Sequence, residues 1–191
     1  MAGKQAKILS DNQIRSLLIY AKRTRYPERN AIIVLLSVKA GMRAGEIAKL
    51  TWEMVLDPQG NVADVITIHD KIAKMGSGRR IPIHHQLRDA LRKLLVRNEP
   101  SGPVVRSERN QAMTPLSIVN WFAKTYRALG LEGCSSHSGR RTFITRAARA
   151  VHRAGGSLRD VQLLAGHSSI EVTQRYIDGD TDAQRRLVSL I

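Results

Sequence analysis

A single cysteine, Cys134, is the whole thiol complement of this 191-residue chain, so no internal disulfide can form and a reducing, cytoplasmic setting fits best. Cys134 reads as a small apolar packing residue. The longest apolar run, "AIIVLLSV" from Ala31 to Val38, is far short of the roughly 20 residues that a membrane span requires. The opening "MAGKQAKILS" has no apolar core segment of the signal-peptide kind. Metal-binding spacings are missing too: there is no CxxC, no HExxH and no EF-hand acidic cluster, and the adjacent His84 and His85 would face opposite ways on a strand. Neither GxxxxGK[ST] nor GxGxxG occurs, and the basic "KMGSGRR" reads as a tight turn because no helix follows it directly. No metal and no cofactor are therefore expected.

Negative charge is also in short supply. Lys and Arg number 31 against 16 Asp and Glu, a formal +15, and such an excess attracts polyanions. Nucleic acid is the partner that this balance favours, and a membrane is not.

The hydrophobic pattern predicts an α+β fold, mainly helical, with one small antiparallel sheet. Ser10 and Gln13 stand at capping-box spacing ahead of Ile14, Leu17 and Leu18, which opens a helix almost at once. A second helix is expected over about Glu28 to Ala40, with Gly41 as its stop, and a short third one in "AGEIAKL". Between "DPQGN" and "MGSG" the period changes to that of strands: Val62, Val65, Ile66, Ile68, Ile81 and Ile83 predict two or three strands, with Pro82 at an edge. Helices return from about His85 to Arg97, after Thr114 with Pro115 in the first turn, and through "SGRRTFITRAARAVHRA". Ser157 caps "LRDVQLLA" and Gly166 ends it; Ser168 and Glu171 suggest another capping box, and "TDAQRRLVSLI" a closing amphipathic helix. About nine helices result. "NEPSGPVVRSERNQAMTP" reads as a surface loop or hinge, and a single domain over 1–191 is expected.

Against this framework a few polar residues stand out by setting: Arg43 in "GMRAGEI", Lys74 in "AKMGSGRRIPI", His137 and Arg140 in "HSGRR", and His167 in "GH" with Tyr176 nine residues later. Each motif alone is weak. Their order and spacing together resemble the catalytic domain of the tyrosine recombinases, or phage-type integrases, from about Ile8 to Ile191. The alternatives that share these residues are a type IB topoisomerase and a catalytically silent DNA-binding protein of the same fold.

The resemblance implies metal- and ATP-independent cleavage and rejoining of strands in double-stranded DNA, with catalytic residues Arg43, Lys74, His137, Arg140, His167 and Tyr176. Two guanidinium groups, Arg43 and Arg140, suit the non-bridging oxygens of a phosphodiester, on which negative charge builds in the transition state. Tyr176 would attack the phosphate to leave a 3′-phosphotyrosyl link, whose phenol, with a pKa of about 10, can depart again when a sugar hydroxyl attacks. Lys74 would donate a proton to the leaving 5′-oxygen. An imidazole with a pKa of about 6.5 suits proton transfer, which makes His137 the base for Tyr176, with His167 hydrogen-bonding the phosphate. Glu46 would orient Arg43. Arg79, Arg80 and Arg141 could meet backbone phosphates. Trp52, Trp121 and Phe143 read as packing residues.

Most of the family carries a further N-terminal, core-binding domain that clamps the opposite face of DNA, and this chain is expected to lack it. In the family the segment after the nucleophile docks on a neighbouring protomer and so builds a tetramer on DNA; here Leu187, Leu190 and Ile191 suit either that docking or a helix folded back on its own core.

Overall fold

In the computed structural model, residues 6–73, 76, 78–97, 100–176, 185 and 188–189 are described, and among them the chain forms eight α-helices and one two-stranded sheet. The helices are α1 (Asp11–Lys22), α2 (Pro27–Lys39), α3 (Ala44–Lys49), α4 (His85–Arg97), α5 (Pro115–Ala128), α6 (Ser138–Ala150), α7 (Leu158–Ala165) and α8 (Ile170–Gln174). Strands β1 (Val65–Ile68) and β2 (Arg79–Pro82) lie between α3 and α4. No helix among the described residues is long and apolar enough to cross a membrane.

The expected caps form. The Gln13 amide donates to Ser10 Oγ at 3.2 Å, and the Ser10 amide donates back to Gln13 Oε1 at 2.9 Å, which satisfies two of the donors left open at the start of α1. Thr114 caps α5 in the same way, accepting from the Ser117 amide at 3.1 Å, with Pro115 supplying a preset φ.

The run "AIIVLLSV" becomes the interior of α2, where Ile32, Ile33, Val34, Leu35 and Leu36 are all buried. It shows no one-sided stripe because α1, α4 and α6 pack around it. Each such side chain contributes about 1.5–3 kcal/mol of burial, so α2 anchors the main core. Helix α6 comes close to it at Gly139, where a Cβ would stand 2.2 Å from Ser37 Oγ. Only glycine permits that approach. The next residue is Arg140, which is thereby held against the end of α2.

The sheet has two antiparallel strands, paired Val65 to Pro82, Ile66 to Ile81, Thr67 to Arg80 and Ile68 to Arg79. Val62 pairs with Leu56 in a separate bridge and is not part of it. Pro82 sits where no inner strand is needed, as expected. The segment read as a loop or hinge is firmly tied down over residues 100–114. Val104 and Val105 are buried, the Val104 amide donates to the Leu50 carbonyl at 2.9 Å, and Pro103 bridges to Thr51. Its two valines outweigh the polar residues around them. The closing helix expected from 181 onward lies largely outside the described residues.

A second, smaller apolar cluster joins α6 to α7 through Ile144, Ala148, Val151, Val161 and Ala165, with Phe143 and Tyr176 packed on its margin. The expected helix after His137 is α6 followed by one 3-10 turn, Val151–Ala154, which Gly155 ends.

Candidate active site

Three helix ends converge. The first is the corner between α2 and α3. Gly41 has φ +62°, a left-handed conformation, and a Cβ there would stand 2.4 Å from Phe143 Cδ1. The corner then leads straight into α3, where Glu46 accepts from the Arg43 amide at 2.8 Å and from its guanidinium at 3.0 Å. Glu46 therefore does hold Arg43.

The second end is the C-terminus of α7, whose last carbonyls must find donors outside the helix. The carbonyls of Gln162 and Leu163 accept from the amides of Gly166 and His167. That of Leu164 accepts from Arg79 Nε at 2.9 Å, and that of Ala165 from an Arg140 terminal nitrogen at 2.6 Å. The other terminal nitrogen of Arg140 donates to Gly41 O at 2.6 Å, so one guanidinium joins the α2 corner to α7. The negative end of the helix macrodipole favours both cations there.

Arg140 is buried, and burial, with the positive charge of Arg43 and Arg79 added, lowers its pKa to about 10 against the opposing pull of Glu46 and Tyr176. It is still a cation at neutral pH. Burial alone would raise the Glu46 carboxyl, but hydrogen bonds and charge from Arg79 and then Arg43 outweigh it and hold Glu46 down at about 2. Arg79 is the larger partner. It is buried, not free to meet a DNA phosphate as its sequence position suggested, and it grips Glu46 with both terminal nitrogens at 2.9 and 3.0 Å. Arg80, the next residue, is exposed. Arg141 donates to Ala6 O at 2.9 Å.

The third end is the start of α8. Its N-cap is Ser169 and not Ser168, and the expected Ser168–Glu171 box does not form, because the helix begins one residue later, at Ile170. His167 stands between α7 and α8 with Nδ1 2.9 Å from Thr173 Oγ1, while its backbone carbonyl accepts from Gln162 Nε2 at 3.0 Å. The imidazole stacks on the Tyr176 ring at 5.5 Å between centroids and 20° between planes. Burial first, then the positive charge of Arg140, Arg43 and Arg79, lowers His167 to about 4. It is neutral at pH 7.

His137 is the N-cap of α6 and is exposed, whereas Arg140, three residues on, points inward. Arg43, His137, Arg140, His167 and Tyr176 nevertheless line one cleft of about 380 Å³, together with Arg141, Arg175, Val172 and Ala6. Four arginines and two histidines face it, with no carboxylate among its lining residues. Such a cleft suits an anion that has two or more oxygens. Lys74 lies outside the described residues. Among the described residues, no group of three or more His, Cys, Asp or Glu side chains could hold a metal ion.

Arg79, Thr173 and Gly41 were not read as parts of this site. For Arg79 a signal exists, since it shares the buried face of its strand, at period two, with Ile81. A charge at an inward position needs a partner.

The chain is similar to the tyrosine recombinase XerC of Rhizobium meliloti (strain 1021), with 30% identity over 158 residues, covering 80% of this chain and 46% of that protein. In fold it resembles the Tn1549 transposon integrase in complex with a circular intermediate DNA, at a TM-score of 0.74 and 17% identity over 100% of this chain and 67% of that one. It also resembles the XerA recombinase, at a TM-score of 0.73 and 23% identity over 96% and 64%. The chain spans about half the length of the first curated relatives it matches. A sequence profile of the Phage integrase family matches residues 7–182, and the chain belongs to that family, whose tyrosine recombinases share its mainly helical catalytic-domain fold.

Proposed function

We propose that this chain is the catalytic domain of a site-specific DNA recombinase, a single domain over 1–191 that cuts and rejoins strands through a 3′-phosphotyrosyl intermediate at Tyr176. The observation that carries this reading is the carboxylate-free cleft in which Arg43, Arg140, His137 and His167 surround Tyr176. The Tyr176 phenolic oxygen attacks the scissile phosphorus, the bond from phosphorus to the 5′-oxygen breaks, and the phenolic proton passes to His137. Lys74, carried between β1 and β2, supplies the proton that the 5′-oxygen takes up. A sugar hydroxyl then reverses the steps on a new partner strand, and the phosphate ester energy is kept throughout.

The division of labour between the histidines has a physical reason. His167, at about 4, is a poor acceptor for a phenolic proton but a good neutral donor to a phosphate oxygen. His137, exposed at the cleft rim, takes the base role. Arg43 and Arg140 bind the non-bridging oxygens, where charge grows in the transition state.

Exchange between two duplexes requires four strand cleavages, and each chain offers one Tyr176. Four protomers on DNA follow from that count, and the segment after Tyr176 is the proposed link between neighbours. The reaction takes place where the DNA is, in the cytoplasm beside the nucleoid. A suicide substrate that carries a nick beside the scissile phosphate tests the reading: it traps a covalent protein–DNA complex with the parent and none with Tyr176→Phe.

A further inference from the structure

The Glu46 carboxylate accepts four hydrogen bonds, two from Arg43 and two from Arg79. Both Glu46 and Arg79 side chains are almost wholly buried, at 2% and 4% exposure, whereas that of Arg43 is 24% exposed and borders the cleft. Charge counting assigns the roles. With Arg79 present, two cations share one carboxylate and the trio keeps a net +1 for an anion in the cleft. Without it, Glu46 and Arg43 would neutralise each other, and the buried carboxylate would draw Arg43 inward. Arg79 also stands opposite Ile68 at the end of the strand pair, and its Nε is fixed to Leu164 O in the last turn of α7.

We propose that Arg79 is a positioning residue that keeps Arg43 extended toward the scissile phosphate by sharing the Glu46 carboxylate. This rests on the recombinase reading of Arg43. Because Arg79 acts through Glu46, its contribution disappears when Glu46 carries no charge.

The test is a double-mutant cycle on the full chain with Arg79→Met, Glu46→Gln and the combined variant. Single-turnover cleavage of a suicide substrate is measured at saturating DNA, beside the Kd for the same DNA and the side-chain NMR signals of Arg43. Arg79→Met should slow cleavage at least 30-fold, with Kd changed less than threefold. Adding Arg79→Met to Glu46→Gln should change the rate less than threefold. The combined variant leaves no unpaired buried charge, so it reads the role even if Arg79→Met alone folds poorly. The Arg43 guanidinium signals should shift and exchange faster with water in Arg79→Met. If Arg79→Met lowers the rate by the same factor in both backgrounds, or leaves the Arg43 signals unmoved, the proposal is overturned. The NMR comparison holds whether or not the parent cleaves DNA, so a parent that forms no adduct overturns the recombinase reading separately.

Discussion

Arg79 and Arg140 donate to adjacent carbonyls, those of Leu164 and Ala165, in the last turn of α7. Two buried cations thus close the end of one short helix, and each is bound at its other side to a different part of the chain. Arg79 reaches Glu46 on α3, and Arg140 reaches Gly41 at the end of α2. The helix that ends at His167 is therefore fixed to the corner that presents Arg43. The cleft rests on these charged hydrogen bonds to backbone together with the small apolar cluster that joins α6 to α7.

Removing Arg140 should damage stability and chemistry together. Arg140→Met leaves the Gly41 and Ala165 carbonyls buried without their donors, at a cost of about 2–4 kcal/mol. Strand cleavage should fall at least 100-fold, the scale of losing one charged group from a developing oxyanion. Arg140→Lys keeps the charge but donates from a single nitrogen, so it should recover less than half of the stability. Urea unfolding and single-turnover cleavage read the two effects.

Gly41→Ala meets two obstacles at once, φ +62° and the Phe143 ring at 2.4 Å. The expected loss is about 1–3 kcal/mol. Phe143→Leu should relieve part of it, so the double variant should be more stable than the sum of the two single losses predicts. Strict additivity in urea unfolding would show that the ring contact is not the cause.

The pH dependence follows from His167. Its ordinary value is 6.5 and its folded value about 4, so between these limits the unfolded chain binds a proton that the folded chain refuses. Stability therefore rises with pH across that window and falls as pH drops, by about 3 kcal/mol in all. Glu46, at about 2 against an ordinary 4.5, adds a second loss in the same direction at lower pH. Between pH 7.5 and 5, the parent should lose about 2 kcal/mol more than His167→Gln. Equal losses would mean that His167 is not held neutral by its surroundings.

Much of this was legible in the sequence because it is local. Ser10 and Gln13, Thr114 and Pro115, and Gly166 each act on a helix end within four residues of themselves. The division of "LLAGHSSIEVTQRYID" at Gly166 and His167 came from the same kind of signal. What was hidden is non-local. Ser168 and Ser169 are equally good caps by composition, yet α8 begins after Ser169 and places Thr173 against His167. Gly41 gives no hint that Phe143, about a hundred positions away, will lie across it. Arg79 carries the same expectation of a phosphate contact as Arg80 and Arg141, although strand alternation turns Arg79 inward and Arg80 out. The family motifs converge on the cleft, whereas the second arginine on Glu46 comes from a strand 33 positions away in the chain.

The central claim is that Tyr176 is the nucleophile, and the most direct test is to locate the bond. After trapping on a nicked duplex and digestion with protease and nuclease, mass spectrometry of the adduct should find a nucleotide attached by its 3′-phosphate to the peptide containing Tyr176. Tyr176→Phe should still bind the DNA with a Kd within threefold of the parent and yield no adduct. An adduct on any other residue, or one that persists in Tyr176→Phe, would contradict the account.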